Sequence, residues 1–271
     1  MRYRGWTRPG PVPPGNIEAG EGETLDLICG NFRIFQYAKG HRYSTDDVLT
    51  AWYGTLCAPR VDRAADLGSG IGSIATIVAW RLPGATLETI EAQEQSVRLA
   101  RKSMEFNGIA SRVTVRHGDL RDFASEHRFD LVTGSPPYWP RGTATEAEHA
   151  QAVPARVEVR GNVADYAAAA ARILAPGGVF VFVFPHLQLD RAISALRDVD
   201  LELVRRRDII FKEGDPPLVS LFAASRTVDI PPTYDAWLEP PLTIRTRTGA
   251  TDAEYSAIRL SFGFPPGNVP A

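Results

Sequence analysis

The amino-acid sequence predicts an α/β fold built on a mostly parallel sheet, with helices on both faces and one antiparallel strand. Two observations lead to this prediction. From Val61 onward, strand-like segments alternate with helix-like segments, which is the order of consecutive βαβ units. Towards the end of this region, strand-like segments at 201–211 and 218–223 follow each other without an intervening helix, so we expect them to pair antiparallel.

The region before Val61 predicts a small N-terminal β-hairpin followed by a helix. Residues 25–37 contain two strand-like runs on either side of Gly30 and Asn31, a pair that favours a turn. Ser44 then precedes an apolar face at helical spacing that begins at Val48, and a short polar side chain is a common N-cap residue. We expect the hairpin and the helix to form an extension of the main sheet.

The elements of the main sheet follow in chain order. Short apolar or alternating runs predict its strands, at 63–67, 85–90, 113–117, 129–133, 179–184, 201–211 and 218–223. Apolar residues at helical spacing predict its helices, at 72–81, 94–107, 162–174 and 187–196. Glycine-rich turns separate a strand from a helix at 68–72 and a helix from a strand at 176–178.

Changes in composition along the chain predict four regions. Residues 1–23 are rich in proline and glycine and are expected to form a flexible extension. Residues 24–60 form the hairpin and helix, and residues 61–226 form the main α/β domain. Proline pairs punctuate residues 227–271, which are expected to wrap around that domain as a tail.

The overall composition is that of a globular protein, with 44% hydrophobic and 23% charged residues. The net charge of −2 argues against non-specific coating of nucleic acid but leaves a local basic face open. Two cysteines without CxxC spacing, and histidines without ligand spacing, predict no metal site. The longest apolar run has only strand length and no signal-peptide pattern follows the N-terminal arginines, so no membrane association and a cytoplasmic location are expected.

The most informative segment joins the first strand of the main domain to its first helix. Gly68, Gly70 and Gly72 allow the chain to turn sharply and to approach a ligand at the carboxyl end of the strand, where open α/β sheets bind ligands. Glu91 ends the next strand, where a carboxylate can accept hydrogen bonds from both hydroxyls of a ribose. The spacing of the glycines differs from the dinucleotide fingerprint, and Asp66 just before them disfavours a pyrophosphate, so NAD is not expected.

Residues 66–72 resemble the first motif of the class I methyltransferases that depend on S-adenosylmethionine. The resemblance implies a Rossmann-like sheet and S-adenosyl-L-methionine as cofactor, with S-adenosyl-L-homocysteine as product. It also implies cofactor contacts from several positions: an acidic residue before the loop, the loop itself near the methionine part, Glu91 on the ribose, and an aspartate with its neighbour at the adenine. The residues in those places are Asp66, Gly68, Ser69, Gly70, Glu91, Asp119 and Leu120.

The second informative segment, Ser135-Pro136-Pro137-Tyr138, follows the fourth strand of the main domain. Consecutive prolines fix the backbone and lack N–H donors, so their carbonyl groups can accept hydrogen bonds from a planar amine, and Tyr138 can stack on a base. The segment resembles the (Asn/Asp/Ser)-Pro-Pro-Tyr motif of amino-methyltransferases, which implies catalytic roles for these four residues. Ser135 departs from the asparagine of most RNA adenine-N6 enzymes and of release-factor glutamine methyltransferases, and its hydroxyl is shorter.

The flanking segments 24–49 and 155–158 resemble the tRNA1(Val) adenine-37 N6-methyltransferase family, and the resemblance extends loosely into the tail. It implies transfer of a methyl group to adenine N6 in tRNA, with Thr45 and Asp46 near the amino-acid end of the cofactor. Residues 139–161 form a long irregular stretch that is expected to act as a lid or binding loop. With arginines elsewhere, this stretch supplies the expected substrate contacts, namely Arg42, Trp139, Arg156 and Arg160.

Two other functions remain open at the level of the sequence. A protein glutamine or small-molecule N-methyltransferase would use the same cofactor and the same proline motif on a different acceptor. A non-catalytic module that binds S-adenosylmethionine or RNA would retain the cavity without the reaction. The oligomeric state is also left open.

Overall fold

The computed structural model describes residues 2–3, 5–140 and 157–265. Its strands, in chain order, are β1 Arg2–Tyr3, β2 Trp6–Thr7, β3 Glu23–Cys29, β4 Phe32–Tyr37, β5 Arg63–Leu67, β6 Thr86–Glu91, β7 Val113–His117, β8 Phe129–Gly134, β9 Leu174–Pro185, β10 Leu201–Lys212, β11 Val219–Arg226 and β12 Trp237–Arg245. Its helices are α1 Thr45–Cys57, α2 Ser73–Arg81, α3 Glu94–Phe106, α4 Val163–Ile173, α5 Leu189–Arg197 and α6 Ala253–Ser261.

Eight strands form the central sheet, in the order β12-β10-β11-β9-β8-β5-β6-β7. Strands β5 to β9 are mutually parallel where they pair, and β11 runs antiparallel to both of its neighbours, β9 and β10. The predicted α/β class, with one antiparallel strand in a mostly parallel sheet, is therefore confirmed. The antiparallel strand β11 lies inside the sheet rather than at its end, because β10 pairs with its other side and β12 extends the sheet further.

Strand β9 begins earlier than the sequence predicts. Residues 176–178 read as a turn, yet Leu174 already pairs with Phe129 of β8, and the pairing resumes at Val179 after a change of register. Gly177 has a φ of 70°, a left-handed conformation that glycine adopts without a steric penalty. The glycines therefore form an irregularity within the strand instead of ending it.

The sheet carries a hydrophobic cluster on each face. Along β9 the side chains alternate: Val181 and Val183 belong to the cluster beneath α1, α2 and α3, whereas Phe180, Phe182 and Phe184 belong to the cluster beneath α4 and α5. All five side chains are fully buried. This period of two explains why the run is apolar throughout: a central strand that is covered on both faces has no position for a polar side chain.

The predicted N-terminal hairpin is present, with β3 and β4 paired antiparallel around the Gly30-Asn31 turn. It packs on α3 through specific polar contacts. The Asn107 side chain accepts a hydrogen bond from the Arg33 N–H and donates one to the Arg33 carbonyl oxygen, and the Ser103 hydroxyl accepts from the Phe35 N–H. These contacts satisfy backbone groups at the edge of β4 and fix the hairpin against the main domain.

The segment before the hairpin contacts the same region. The Gly15 N–H donates to the Phe106 carbonyl oxygen, and the Asn31 side chain donates to the Gly10 carbonyl oxygen.

Within the described ranges, no helix is long and apolar enough to cross a membrane. The same residues contain no cluster of three histidine, cysteine, aspartate or glutamate side chains arranged for a metal ion.

The C-terminal residues add a strand and a helix to the fold. Strand β12 pairs parallel with β10, and the register shifts opposite Pro240 and Pro241. The Arg207 guanidinium donates to the Pro240 carbonyl oxygen at this point. Prolines lack the N–H that a central strand needs, but an edge strand tolerates them. Because β12 runs in the same direction as β5 to β9, its last residue, Arg245, lies at the edge of the sheet where those strands have their carboxyl ends.

Candidate active site

The carboxyl ends of the parallel strands open into a cavity of about 560 Å³. The glycine-rich turn, the end of β6, the turn after β7 and the proline motif after β8 form its walls. Most of the residues singled out from the sequence line it: Arg42, Asp46, Gly68, Ser69, Gly70, Glu91, Asp119, Leu120, Ser135, Pro136, Pro137, Tyr138, Trp139 and Arg160. Its volume lies in the range of pockets that hold small molecules and cofactors.

Glu91 holds the glycine-rich turn in place. One oxygen of its carboxylate accepts from the Gly70 N–H at 2.9 Å, and the other accepts from the Gln93 N–H at 2.7 Å. Gly68 and Gly70 have φ values of 59° and 54°, which favour glycine strongly. Burial raises the pKa of Glu91, and the two backbone hydrogen bonds offset part of that rise because they stabilise the charged carboxylate. A carboxylate can accept about four hydrogen bonds, so Glu91 retains acceptor capacity towards the cavity.

Asp66 lies beneath the turn and is not among the residues that line the cavity. Its side chain is fully buried and accepts a hydrogen bond from the Thr133 hydroxyl at 2.8 Å. Burial is the largest influence on this carboxyl group and raises its pKa to about 7. Asp66 therefore connects β5 to β8 from below the cavity.

Asp119 follows β7, beside the end of β6, where the Gly118 N–H donates to the Glu91 carbonyl oxygen. Its carboxylate accepts from both the backbone N–H and the guanidinium of Arg121, each at 2.9 Å, and caps the short 3-10 turn that begins at Leu120. The hydrogen bond from Arg121 is the main reason that the pKa of Asp119 is lowered. The carboxylate is thus charged and held in one orientation, with buried Leu120 beside it.

Tyr138 is fixed at three points. Its hydroxyl donates to the Asp46 carboxylate at 2.6 Å, its ring packs edge-on against Phe184 at 6.1 Å, and its carbonyl oxygen accepts from the Gln188 side chain at 2.9 Å. Burial is the main cause of the raised pKa of both Tyr138 and Asp46. These contacts join the proline motif to the first turn of α1, where Ser44 is the N-cap and forms a capping box with Asp47.

Several expected site residues lie elsewhere or at the rim. Thr45 is not on the wall of this cavity but lines a second, adjacent one. The Arg160 guanidinium donates to the Ala92 carbonyl oxygen at 2.8 Å, next to the end of β6. Trp139 is 47% exposed at the mouth and forms a bridge with Val157. Arg156 lies outside the described residues.

The sequence gives no direct signal for two residues that support the site. Tyr166 of α4 lines the cavity and lies so close to Gly68 that a side chain there would overlap its hydroxyl. Gln188, in the 3-10 turn before α5, holds the Tyr138 carbonyl group. Both belong to the face of the sheet opposite α1, and contacts between such distant segments are not encoded in local spacing.

A family model described as the methyltransferase small domain matches residues 53–199, more than half of the chain. The chain belongs to this family. It is 29% identical over 243 residues to the tRNA1(Val) (adenine(37)-N6)-methyltransferase of Porphyromonas gingivalis, covering 86% of this chain and 92% of that protein. The enzyme of the same description from Aeromonas hydrophila is 30% identical over 179 residues, covering 64% of this chain and 72% of its own length.

Solved structures show the same fold. A predicted O-methyltransferase from Agrobacterium tumefaciens superposes with a TM-score of 0.60 at 21% identity, covering 83% of this chain and all of that one. A ribosomal protein L11 methylase from Lactobacillus delbrueckii gives a TM-score of 0.50 at 18% identity and covers 70% of this chain. Together with the family, these comparisons confirm the class I methyltransferase fold, and the protein is a methyltransferase that depends on S-adenosyl-L-methionine.

The cavity of this methyltransferase has the features that its cofactor requires. A Cβ atom built on Gly70 meets nothing within 4 Å, so the turn leaves open space where a ligand can approach the backbone. The buried Ser69 hydroxyl, on the same wall, has no hydrogen-bond partner among the described residues. Acidic groups on two walls, Glu91 and Asp119, supply acceptors for hydroxyl and amine hydrogens. The residues present therefore fit the cofactor.

Proposed function

We propose that this methyltransferase transfers a methyl group to the exocyclic amine of a nucleic-acid base, namely adenine N6 in tRNA. One observation carries the proposal: the Ser135-Pro136-Pro137-Tyr138 motif shares a cavity with the glycine-rich turn and Glu91. A base amine presented to the motif therefore lies in the same cavity as the cofactor site. The relatives named as tRNA1(Val) (adenine(37)-N6)-methyltransferases support both the base and the RNA class, and such a substrate implies action in the cytoplasm.

The assignment of the cofactor-binding residues follows the walls of the cavity. Glu91 accepts hydrogen bonds from the ribose hydroxyls with the acceptor capacity that Gly70 and Gln93 leave over. Asp119 accepts from the adenine amine, and Leu120 packs against the ring. The glycine-rich turn and Asp46 face the methionine part. Asp66 and Thr45 do not line this cavity, so in this proposal Asp66 supports the turn from below and Thr45 supports Asp46 from the other side.

The cofactor supplies an electrophilic methyl group on a sulfonium, and the proline motif prepares the amine that accepts it. The Ser135 side chain and the Pro136 carbonyl oxygen accept the two amine hydrogens, which directs the nitrogen lone pair towards the cofactor. Pro136 and Pro137 lack N–H groups, so neither residue presents a competing donor to the amine. As positive charge develops on nitrogen, these fixed acceptors stabilise it without reorganising.

Tyr138 provides a face on which the target base stacks. The base must leave its neighbours in the RNA to reach this cavity, and an aromatic ring offsets part of the lost stacking. The Asp46 carboxylate, Phe184 and Gln188 hold the ring and its backbone in one position. Tyr138 therefore sets the plane of the base, while Ser135 and Pro136 set the direction of its amine.

The test is methyl transfer from labelled S-adenosylmethionine into unmodified bulk tRNA, followed by nucleoside mass analysis. We expect N6-methyladenosine with the intact protein and none with a Ser135→Ala, Tyr138→Ala double variant. Binding of the cofactor by both proteins serves as the folding control. Label recovered only in a peptide glutamine or a small amine would contradict the proposal and support the alternative acceptor classes.

A further inference from the structure

A second cavity of about 540 Å³ adjoins the active site. The two cavities share Arg42 and Ser44 on their walls. The remaining wall residues come from the hairpin and the loop after it, the start of α1, the end of β10 and the C-terminal segment around β12 and α6, and they include Tyr43, Phe211, Arg245, Tyr255, Arg259 and Phe264. We call this space the tail groove.

The wall of the tail groove is basic. It carries the guanidinium groups of Arg42, Arg245 and Arg259 and includes no aspartate or glutamate. Arg42 forms an ion pair with Asp26 at 3.0 Å, outside the groove wall. Arg245 and Arg259 have no ion pair with any residue in the described ranges: Arg245 donates to the Gly249 carbonyl oxygen at 3.1 Å, and Arg259 lies over the Phe264 ring. Two arginines near each other without carboxylates create a site that attracts an anion.

The wall is also aromatic. Tyr43, Phe211, Tyr255 and Phe264 line it together with the arginines. The Tyr43 hydroxyl donates to the Leu27 carbonyl oxygen, so this ring is anchored from behind. Arginines interleaved with aromatic rings are the combination that binds a nucleotide chain, because the guanidinium groups contact phosphates and the rings contact bases or sugars.

The position of the groove follows from the topology of the sheet. Strand β12 is parallel to β10, and its last residue, Arg245, lies at the same edge as the carboxyl ends of β6 and β8. The C-terminal residues therefore bring their arginines next to the cavity that contains Ser135. A nucleotide chain whose target base enters the active site passes this edge.

We propose that the tail groove binds the phosphodiester backbone and one base of the RNA next to the target adenine. Arg245 and Arg259 contact the phosphates, and the aromatic wall contacts the neighbouring base. This inference rests on the proposed function and assigns the strand β12 and helix α6 segment to substrate binding. The sequence pattern instead favours Arg42, Arg156 and Arg160 as the basic substrate contacts and predicts that residues 227–271 wrap around the domain as a tail.

The test compares an Arg245→Gln, Arg259→Gln double variant with the wild-type full chain, using unmodified bulk tRNA as acceptor. We expect the KM for tRNA to rise by roughly 10-fold or more, because each substitution removes a charge-assisted hydrogen bond to an RNA phosphate. The Kd for S-adenosylmethionine should stay unchanged. The dependence of log KM on log salt concentration should become shallower by about 1 to 2, since two phosphate contacts are lost. An Arg245→Lys, Arg259→Lys variant should recover most of the affinity and the salt dependence.

A matched control removes two positive charges from the opposite edge of the sheet. Arg60 and Arg197 are exposed and lie near the amino ends of β5 and β10, so Arg60→Gln with Arg197→Gln should leave the KM for tRNA unchanged. If the tail-groove variant and this control have the same KM and the same salt dependence, the groove proposal is overturned while the proposed function stands. If the wild-type protein methylates no tRNA, the proposed function fails and the groove proposal fails with it.

Discussion

Tyr138→Phe tests how the proline motif is held, because it removes the hydroxyl that donates to Asp46 at 2.6 Å and that also forms a hydrogen bond with the Ser135 side chain. The ring contact with Phe184 and the backbone contact with Gln188 do not involve this atom. A hydrogen bond to a charged acceptor contributes about 1.5–3 kcal/mol, and water entering the cavity replaces part of it, so the lower end applies. We expect kcat to fall roughly 10-fold, since about 1.4 kcal/mol corresponds to a factor of ten.

The assay is the initial rate of methyl transfer to tRNA at saturating cofactor, together with the Kd for S-adenosylmethionine. Asp46→Asn provides the second arm of a double-mutant cycle, because the amide keeps an acceptor oxygen but loses the charge. If the two groups act through one hydrogen bond, the double variant should be no slower than the slower single variant. A wild-type kcat in Tyr138→Phe would show that the hydroxyl does not hold the motif. A double variant whose fold-loss in kcat equals the product of the two single losses would show that Tyr138 and Asp46 act independently.

Four other substitutions probe the cofactor side of the site. Glu91→Ala should raise the Kd for S-adenosylmethionine by roughly 10- to 100-fold, through the loss of charge-assisted hydrogen bonds worth about 1.5–3 kcal/mol, and calorimetry that shows an unchanged Kd would contradict this. Gly70→Ala should abolish cofactor binding with a loss of only about 1–2 kcal/mol of stability, since its Cβ meets open space at positive φ. Gly68→Ala should destabilise the fold further, because its Cβ overlaps Tyr166. Equal urea midpoints for the two variants would contradict this distinction. Asp66→Asn should flatten the pH dependence of stability. The folded carboxyl has a pKa of about 7 against an ordinary 3.8, so between these pH values it holds a proton that the unfolded chain releases. The free energy of unfolding of the cofactor-free wild type therefore falls as the pH rises from about 4 to 7, by on the order of 4 kcal/mol at most. Urea titrations of the wild type and of Asp66→Asn at pH 5 and pH 8 measure that fall. An equal change in the free energy of unfolding in both proteins would contradict a raised pKa for the buried carboxyl.

Elements with a strong local signal were predictable from the sequence. Strands Arg63–Leu67 and Val113–His117 lie where their apolar spacing predicts them, and the Gly30-Asn31 turn fixes the hairpin. The cavity was predictable for a related reason. Much of its wall consists of residues that directly follow parallel strands, so the order of elements along the chain already brings these residues to one edge of the sheet.

The sequence did not reveal the parts of the site that depend on contacts between distant segments. Strand β12 contains Pro240 and Pro241, which argue against a strand, and it is tolerated only because it lies at an edge. The contact from Tyr138 to Asp46 joins residues 92 positions apart, and no local pattern encodes it. Arg245 and Arg259 of the tail groove were missed because their position depends on the direction in which β12 joins the sheet.

The most direct test of the central claim uses a tRNA transcript in which the adenine at position 37, the position named for the relatives, is replaced by purine. Purine keeps the ring that stacks on Tyr138 but lacks the exocyclic amine. We predict N6-methyladenosine at this position in the adenine transcript and no methyl incorporation into the purine transcript, which should still bind and compete. Methylation of the purine transcript to the same extent would contradict the claim that the Ser135 motif presents an exocyclic amine to the cofactor.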